Sequence, residues 1–352
     1  MQTMDEIISA AAQMRVSDVH LVKDLPIRFR LHGSLTDFGD HILTHEDCER
    51  YGYELAGEDM DRILTGGELD LARSIGGTRV RINLFRQQGH VSAAVRLLSD
   101  VIPKLENLGL PPAVVGLAEL PRGIILVTGE TGSGKSTTLA ALLDRINHSR
   151  TEHILTLEDP VEYIYTADRC IVNQREIGRD TSSFADGLRA ALREDPDVIL
   201  IGEMRDTDTI ETALTAAETG HLVFATLHTN SAADAIDRIV DVFPEARHRQ
   251  IRMQLSMTLK AVVSQQLIAT SDGKGRALAC EVMIVTPAIR NLIREGKTPM
   301  IQNAISTTAS EGAITMDNAL LKLVRERKIS NKAALDAAYD VDYIKKGLGL
   351  GR

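Results

Sequence analysis

The chain has 352 residues, 43% of them hydrophobic, and a formal charge of −9. That is enough apolar material for a large core and two domains, and no run of about 18 apolar residues occurs that would read as a spanning helix. Acids (49) outnumber Lys plus Arg (40) and tryptophan is absent, a balance that disfavours a nucleic-acid partner.

In chain order, "MQTMDEIISAAAQM" lacks the basic start and cleavage site of a signal peptide, so a cytoplasmic location is expected. A helix is expected near residues 4 to 14, followed by alternating segments such as "PIRFRLHG" and "GTRVRINLF" in a mixed α+β module over residues 1–98. In the second segment Val80, Ile82 and Leu84 share one face, while Arg79, Arg81 and Asn83 share the other, which reads as a solvated outer face. Residues 99–122, with four prolines and two glycines, read as a linker carrying one short helix. From residue 123 to 352 hydrophobic strands ("GIILVTG", "HILTLE", "DVILIG", "HLVFATLH") alternate with helices, which implies a mostly parallel sheet covered on both faces. Cys48, Cys170 and Cys280 are far apart and odd in number, so neither a disulfide framework nor a zinc site is expected.

"GETGSGKS", residues 129 to 136, matches GxxxxGK[ST] between a strand and a helix, where a phosphate cradle has to lie. The expected ATP-binding residues are Gly129, Glu130, Thr131, Gly132, Ser133, Gly134, Lys135, Ser136 and Thr137: backbone N–H groups surround phosphate oxygens, and the helix presents its positive end. Lys135 is expected to bridge the β- and γ-phosphates. Ser136 would place its hydroxyl on Mg²⁺. Glu203 ends the apolar strand of "DVILIGEMRD" and is expected to hold the same ion through water. A carboxylate engaged with a cation is a poor base, so Glu162 of "ILTLEDPVEY" is the expected base, with Glu158 and Asp159 as supports. His221 and His228 bracket the fourth strand at an odd separation, too far apart to share a metal. His228 lies at the nucleotide end, where it would sense the γ-phosphate or fix a catalytic carboxylate.

Four of these segments, taken in order, resemble the ring-forming motor ATPases of type II secretion and type IV pili. "GETGSGKST" is similar to their Walker A motif, "TLEDPVEY" to their Asp box, "ILIGEMRD" to their Walker B motif and "TAAETGHLVFATLHT" to their His box. "TPAIRNLIRE" is similar to the C-terminal motif of the pilus retraction ATPases, the PilT family, here Ala288, Ile289, Arg290, Asn291, Leu292 and Ile293. The chain lacks the longer N-terminus and CxxC…CxxC zinc module that assembly and secretion ATPases commonly carry, so the resemblance favours retraction over those alternatives.

The resemblance implies a PAS-like N-terminal domain, a RecA-like ATPase domain and a homo-hexamer. The hexamer would work with an inner-membrane platform protein at the pilus base, on the inner face of the cytoplasmic membrane. It also implies that Arg81 and Arg96 reach the nucleotide. Two departures stand out: "RLLSDVIPKL" has an apparent two-residue insertion after Arg96, and a further basic residue expected before "LPRG" is missing. A RecA-like nucleic-acid translocase and a nucleotide-switched scaffold that does not hydrolyse are the competing readings. The acidic balance disfavours the first, and the presence of both Glu162 and Glu203 disfavours the second.

From "TPAIRNLIRE" itself, Thr286 caps a helix with Pro287 at its first position, and Ile289, Leu292 and Ile293 form one apolar stripe.

Overall fold

The computed structural model describes residues 2–31, 33–98 and 101–350. His32, in the stretch read as a strand, and Ser99 and Asp100, at the start of the expected linker, lie outside the described residues, as do the two ends of the chain. The chain divides into two compact units, Met1–Val101 with Pro160–Ile164, and Ile102–Asp159 with Tyr165–Arg352.

The first unit is an antiparallel sheet of β1 (Asp18–Leu21), β2 (Pro26–Leu31), β3 (Ser34–Ile42), β4 (Glu68–Ile75), β5 (Thr78–Gln87) and β6 (His90–Leu97), in the order β3-β2-β1-β6-β5-β4. The first helix, Met4–Gln13, is set by a capping box: the Thr3 hydroxyl accepts from Glu6 N, and the Glu6 carboxylate accepts from Thr3 N. Its Ile7, Ile8 and Ala11 are buried with Val80, Ile82 and Leu84 of β5 in one core. The period-2 alternation of β5 therefore puts Arg79 and Arg81 on the opposite face.

The second unit holds β7 (Gly123–Thr128), β8 (His153–Glu158), β9 (Ile171–Glu176), β10 (Val198–Ile201), β11 (Leu222–Leu227), β12 (Leu259–Ala269) and β13 (Arg276–Ile284). Their order is β13-β12-β7-β11-β10-β8-β9, parallel except for the antiparallel β12–β13 pair. Every residue of β7, β10 and β11 is buried. Alternate residues feed two separate cores: Ile124, Ile199 and Val223 pack on one face, and Ile125, Leu200 and Phe224 on the other. A sheet buried on both faces reads in sequence as unbroken apolar runs.

The segment expected to be a linker is different in kind. It carries the short helix Pro112–Val115, and its Leu105, Val114 and Leu117 are buried in the second of those cores, so from Ile102 on it belongs to the second unit. Among the described residues no helix is long and apolar enough to cross a membrane.

Candidate functional site

β7 delivers the chain to the phosphate cradle at the C-terminal edge of the parallel sheet, with its last residue, Thr128, donating from its hydroxyl to Ser264 Oγ of β12 at 2.8 Å. Gly129 follows at φ 138°. A Cβ there would meet the Gln265 carbonyl oxygen at 2.4 Å and Ser133 Oγ at 2.6 Å, so only glycine fits. Gly132 and Gly134 also take positive φ, while Glu130, Thr131 and Ser136 are exposed around the mouth and Thr137 is half-buried. The helix Lys135–Ser149 starts without a side-chain cap, which leaves its first N–H groups for an anion. Lys135 is buried, and its ammonium donates to the carbonyls of Gly129 at 2.6 Å and Glu130 at 3.0 Å. Ser133 Oγ is buried with no hydrogen-bond partner among the described residues.

An uncapped helix end, a buried cation and an orphaned hydroxyl around a loop with no room for a Cβ at Gly129 form a donor set suited to a polyphosphate. A cavity of ≈ 670 Å³ opens from the loop, lined by Thr131, Ser133, Gln266, Arg276 and Tyr339 among others. Sequence reasoning missed the β12 contribution: Gln265 Nε2 donates to Thr138 Oγ1 at 2.8 Å and braces the cradle helix. "VVSQQLIA" has no motif to announce it.

The acidic side of the site is built by cross-links between strand ends. Gly202 N donates to the Leu157 carbonyl at 2.7 Å, and Met204 N to the Thr226 carbonyl at 3.2 Å, which fixes Glu203 between β8 and β11. Glu203 accepts from Arg205 Nη2 at 2.6 Å, and its Oε1 lies 3.4 Å from His228 Nε2. Burial pushes its carboxyl up. The Arg205 hydrogen bond and the neighbouring His228 and Arg205 outweigh that, and the carboxyl ends below its ordinary value. Arg205, which the sequence did not single out, also feels Asp159. Glu158 accepts from Thr156 Oγ1 at 2.7 Å and Gln174 Nε2 at 3.3 Å.

His221 requires a correction. It precedes β11 at the N-terminal edge of the sheet, where its carbonyl accepts from Gly123 N at 3.0 Å and its ring Nδ1 lies 2.8 Å from the Ala216 carbonyl. The cradle is at the other edge, so His221 caps a helix end and belongs to no catalytic cluster of this unit.

Three expected residues lie in the first unit. Arg81 and Arg96 are direct cross-strand partners on β5 and β6, and the row continues through Asp18 to Arg30. Neither guanidinium stands alone: Arg81 donates to Asp70 from Nε at 3.2 Å and Nη2 at 2.6 Å, and Arg96 Nε donates to Asp18 at 2.9 Å. Burial pushes the Asp18 carboxyl up, but hydrogen bonds from Ser17 and Arg96 hold it below its usual value. Glu162 is half-buried in Pro160–Ile164, which clusters with the first unit, and Arg79 Nη2 donates to the Val161 carbonyl at 2.9 Å.

The helix Pro287–Glu295 follows the expected pattern: Thr286 Oγ1 accepts from Ile289 N at 3.3 Å, Ile289 and Ile293 are buried and Leu292 half-buried. Ala288 and Arg290 are exposed. Asn291 Nδ2 donates to Glu295 at 2.9 Å. Burial and the nearby Arg290 and Arg122 push the Lys260 amine below its ordinary value, so Arg290 belongs to a group of three cations.

Residues 1–332 match the family described as "Type II/IV secretion system protein". The chain belongs to that family. Among type II/IV secretion system proteins it is 45% identical to the "Type IV pilus retractation ATPase PilT" of Pseudomonas aeruginosa over 95% of this chain and 97% of that one. It is 47% identical to the "Uncharacterized protein YggR" of Escherichia coli, over 93% and 99%. The crystal structure of "the Pilus Retraction Motor PilT and Bound ADP" superposes with a TM-score of 0.92 at 43% identity, covering 98% of this chain and all (100%) of that one. The two-domain α/β architecture is therefore the one of this family, and its second unit is a nucleotide-binding P-loop domain.

Proposed function

We propose that this chain is a motor ATPase that couples ATP hydrolysis to type IV pilus retraction, working as a homo-hexamer with the pilus platform at the inner face of the cytoplasmic membrane. The observation that carries the reading is the facing pair at one sheet edge, a closed phosphate cradle around Lys135 and a carboxylate, Glu203, tied to His228. The similarity to a retraction motor whose structure holds ADP supports the nucleotide and the work it drives.

Mg²⁺ bound with the nucleotide would neutralise phosphate charge, and Ser136 and Glu203 are the residues that would hold it. Against the push of burial, Arg205 and His228 hold the Glu203 carboxyl below its ordinary value, which makes it a weaker base and better suited to holding a cation. Glu162 is then the residue to orient and deprotonate the attacking water. Lys135 exchanges its contacts with loop carbonyls for phosphate oxygens, and Arg81 and Arg96 exchange Asp70 and Asp18 for charge developing on the transferred group.

The test is made in cells. A strain without the gene, complemented with Lys135→Ala, should carry labelled pili that extend and persist, whereas the wild-type gene restores retraction. Normal retraction in the Lys135→Ala strain would refute the reading.

A further inference from the structure

The most deeply buried carboxylate of known surroundings lies outside the site just described. Glu281 of β13 has no exposed surface, yet among the described residues no cation pairs with it. Three N–H donors converge on it: Ala232 N at 2.8 Å on Oε1, Gln302 Nε2 at 3.1 Å on Oε2, and the backbone of Met316. Burial pushes its carboxyl up against the pull of these donors. A residue this costly to bury can be replaced by an apolar one in an ordinary core, so what its partners do matters.

Ala232 is the first residue of the helix Ala232–Asp241, capped by Ser231, whose Oγ accepts from Asp234 N at 3.1 Å. Only Thr229, Asn230 and Ser231 separate that helix from His228, the residue that meets Glu203. The same turn is gripped a second time, since the Tyr339 hydroxyl donates to the Asn230 carbonyl. Glu281 thus pins the start of the helix through its N–H and its positive end, and the short turn has no slack with which His228 could drift. The other oxygen of Glu281 reaches Gln302, in the helix Ile301–Thr307 that follows the Pro287–Glu295 helix.

We infer that Glu281 is a positioning residue for hydrolysis: by anchoring the helix start it sets His228 against Glu203, and through Gln302 it ties that geometry to the C-terminal helices. The inference rests on the ATPase reading above. It does not make Glu281 catalytic, because no reacting atom touches it.

The polarity of the two side chains gives the test. In Glu281→Gln one acceptor oxygen becomes an NH2 donor and the charge is lost, so Ala232 N, Gln302 Nε2 and Met316 N compete for a single oxygen and the hold on the helix start weakens. Adding Gln302→Glu restores a donor–acceptor pair with the order reversed. Steady-state ATP turnover of the full chain should show kcat down by at least about 10-fold in Glu281→Gln, the scale of a small misplacement of a catalytic group. KM for ATP should move by less than about twofold, since the cradle is untouched. The double variant should recover most of the lost kcat at an unchanged thermal midpoint.

Wild-type kcat in Glu281→Gln would overturn the inference. So would a double variant that fails to recover while kcat and thermal midpoint fall together, the signature of a purely structural carboxylate. A wild-type chain with no ATP turnover would remove the ATPase reading, and this inference with it.

Discussion

Arg205 sits beside Glu203 and holds its carboxyl down against the effect of burial. A carboxyl whose folded value is depressed contributes stability that is present above its unfolded value and lost as pH falls through the folded one. Removing Arg205 moves that loss to higher pH. In Arg205→Ala the acid limb of the kcat/KM profile should therefore shift upward, and an unmoved limb would show that Glu203 is not the titrating group. Arg81 and Arg96 give a second test at this scale, since an arginine on the transition state contributes ~10³ to 10⁵ in rate. Arg81→Ala and Arg96→Ala should each cut turnover steeply, whereas Arg28→Ala, which breaks a similar exposed pair with Asp37 in the same sheet, should leave it nearly unchanged. Equal losses in all three would point to folding. That Glu203 ends a buried strand was legible in "DVILIGEMRD", because an apolar run closed by an acid has one reading in a parallel sheet. His228 was legible as able to fix a carboxylate from its place at the nucleotide end of its strand, whereas Arg205 was not, because an ion pair in the turn after a strand leaves no periodicity.

Among elements, the cradle loop is the most constrained by shape. Gly129→Ala would force a methyl group to within 2.4 Å of a backbone carbonyl at a φ that disfavours any side chain, with Gln265 unable to yield without breaking β12. Nucleotide affinity in a fluorescence titration should fall by about 10-fold or more, a cost of at least ~1.4 kcal/mol. Gly132→Ala, where a Cβ would meet nothing within 4 Å, should be milder. Equal effects would mean that backbone conformation, not crowding, governs the loop. Four strands of the parallel sheet were legible as apolar runs, but β9, β12 and β13 were not. β9 alternates exposed and half-buried positions at the sheet edge, and β12 carries Ser264 and Gln265, polar residues buried because they brace the cradle. The linker was misread for a related reason: its prolines and glycines signal turns, while the leucines that dock it onto the sheet are too sparse to show a period.

At the scale of the whole molecule, the phosphate cradle and the Pro287–Glu295 helix lie in different parts of the second unit. The cradle and Glu203 occupy the C-terminal sheet edge, while Arg290 joins Lys260 and Arg122 near the start of β12 and β7, with no carboxylate partner for these three among the described residues. Arg290→Ala with Asn291→Ala should accordingly leave ATP turnover near normal and abolish retraction of labelled pili. Proportional loss of both would place the helix within the catalytic machinery. A second domain was expected from residue 123, whereas the second unit takes in the chain from Ile102, and the place of Pro160–Ile164 in the first unit was not legible, since a five-residue excursion has no signature of its own.

The most direct measurement is steady-state phosphate release from ATP by the purified full-length chain, wild type beside Lys135→Ala. Turnover by the wild type that Lys135→Ala abolishes is the expected result, because the buried ammonium is the point charge of the cradle. Equal release by the two proteins, or none by either, would contradict a motor driven by ATP hydrolysis at this site.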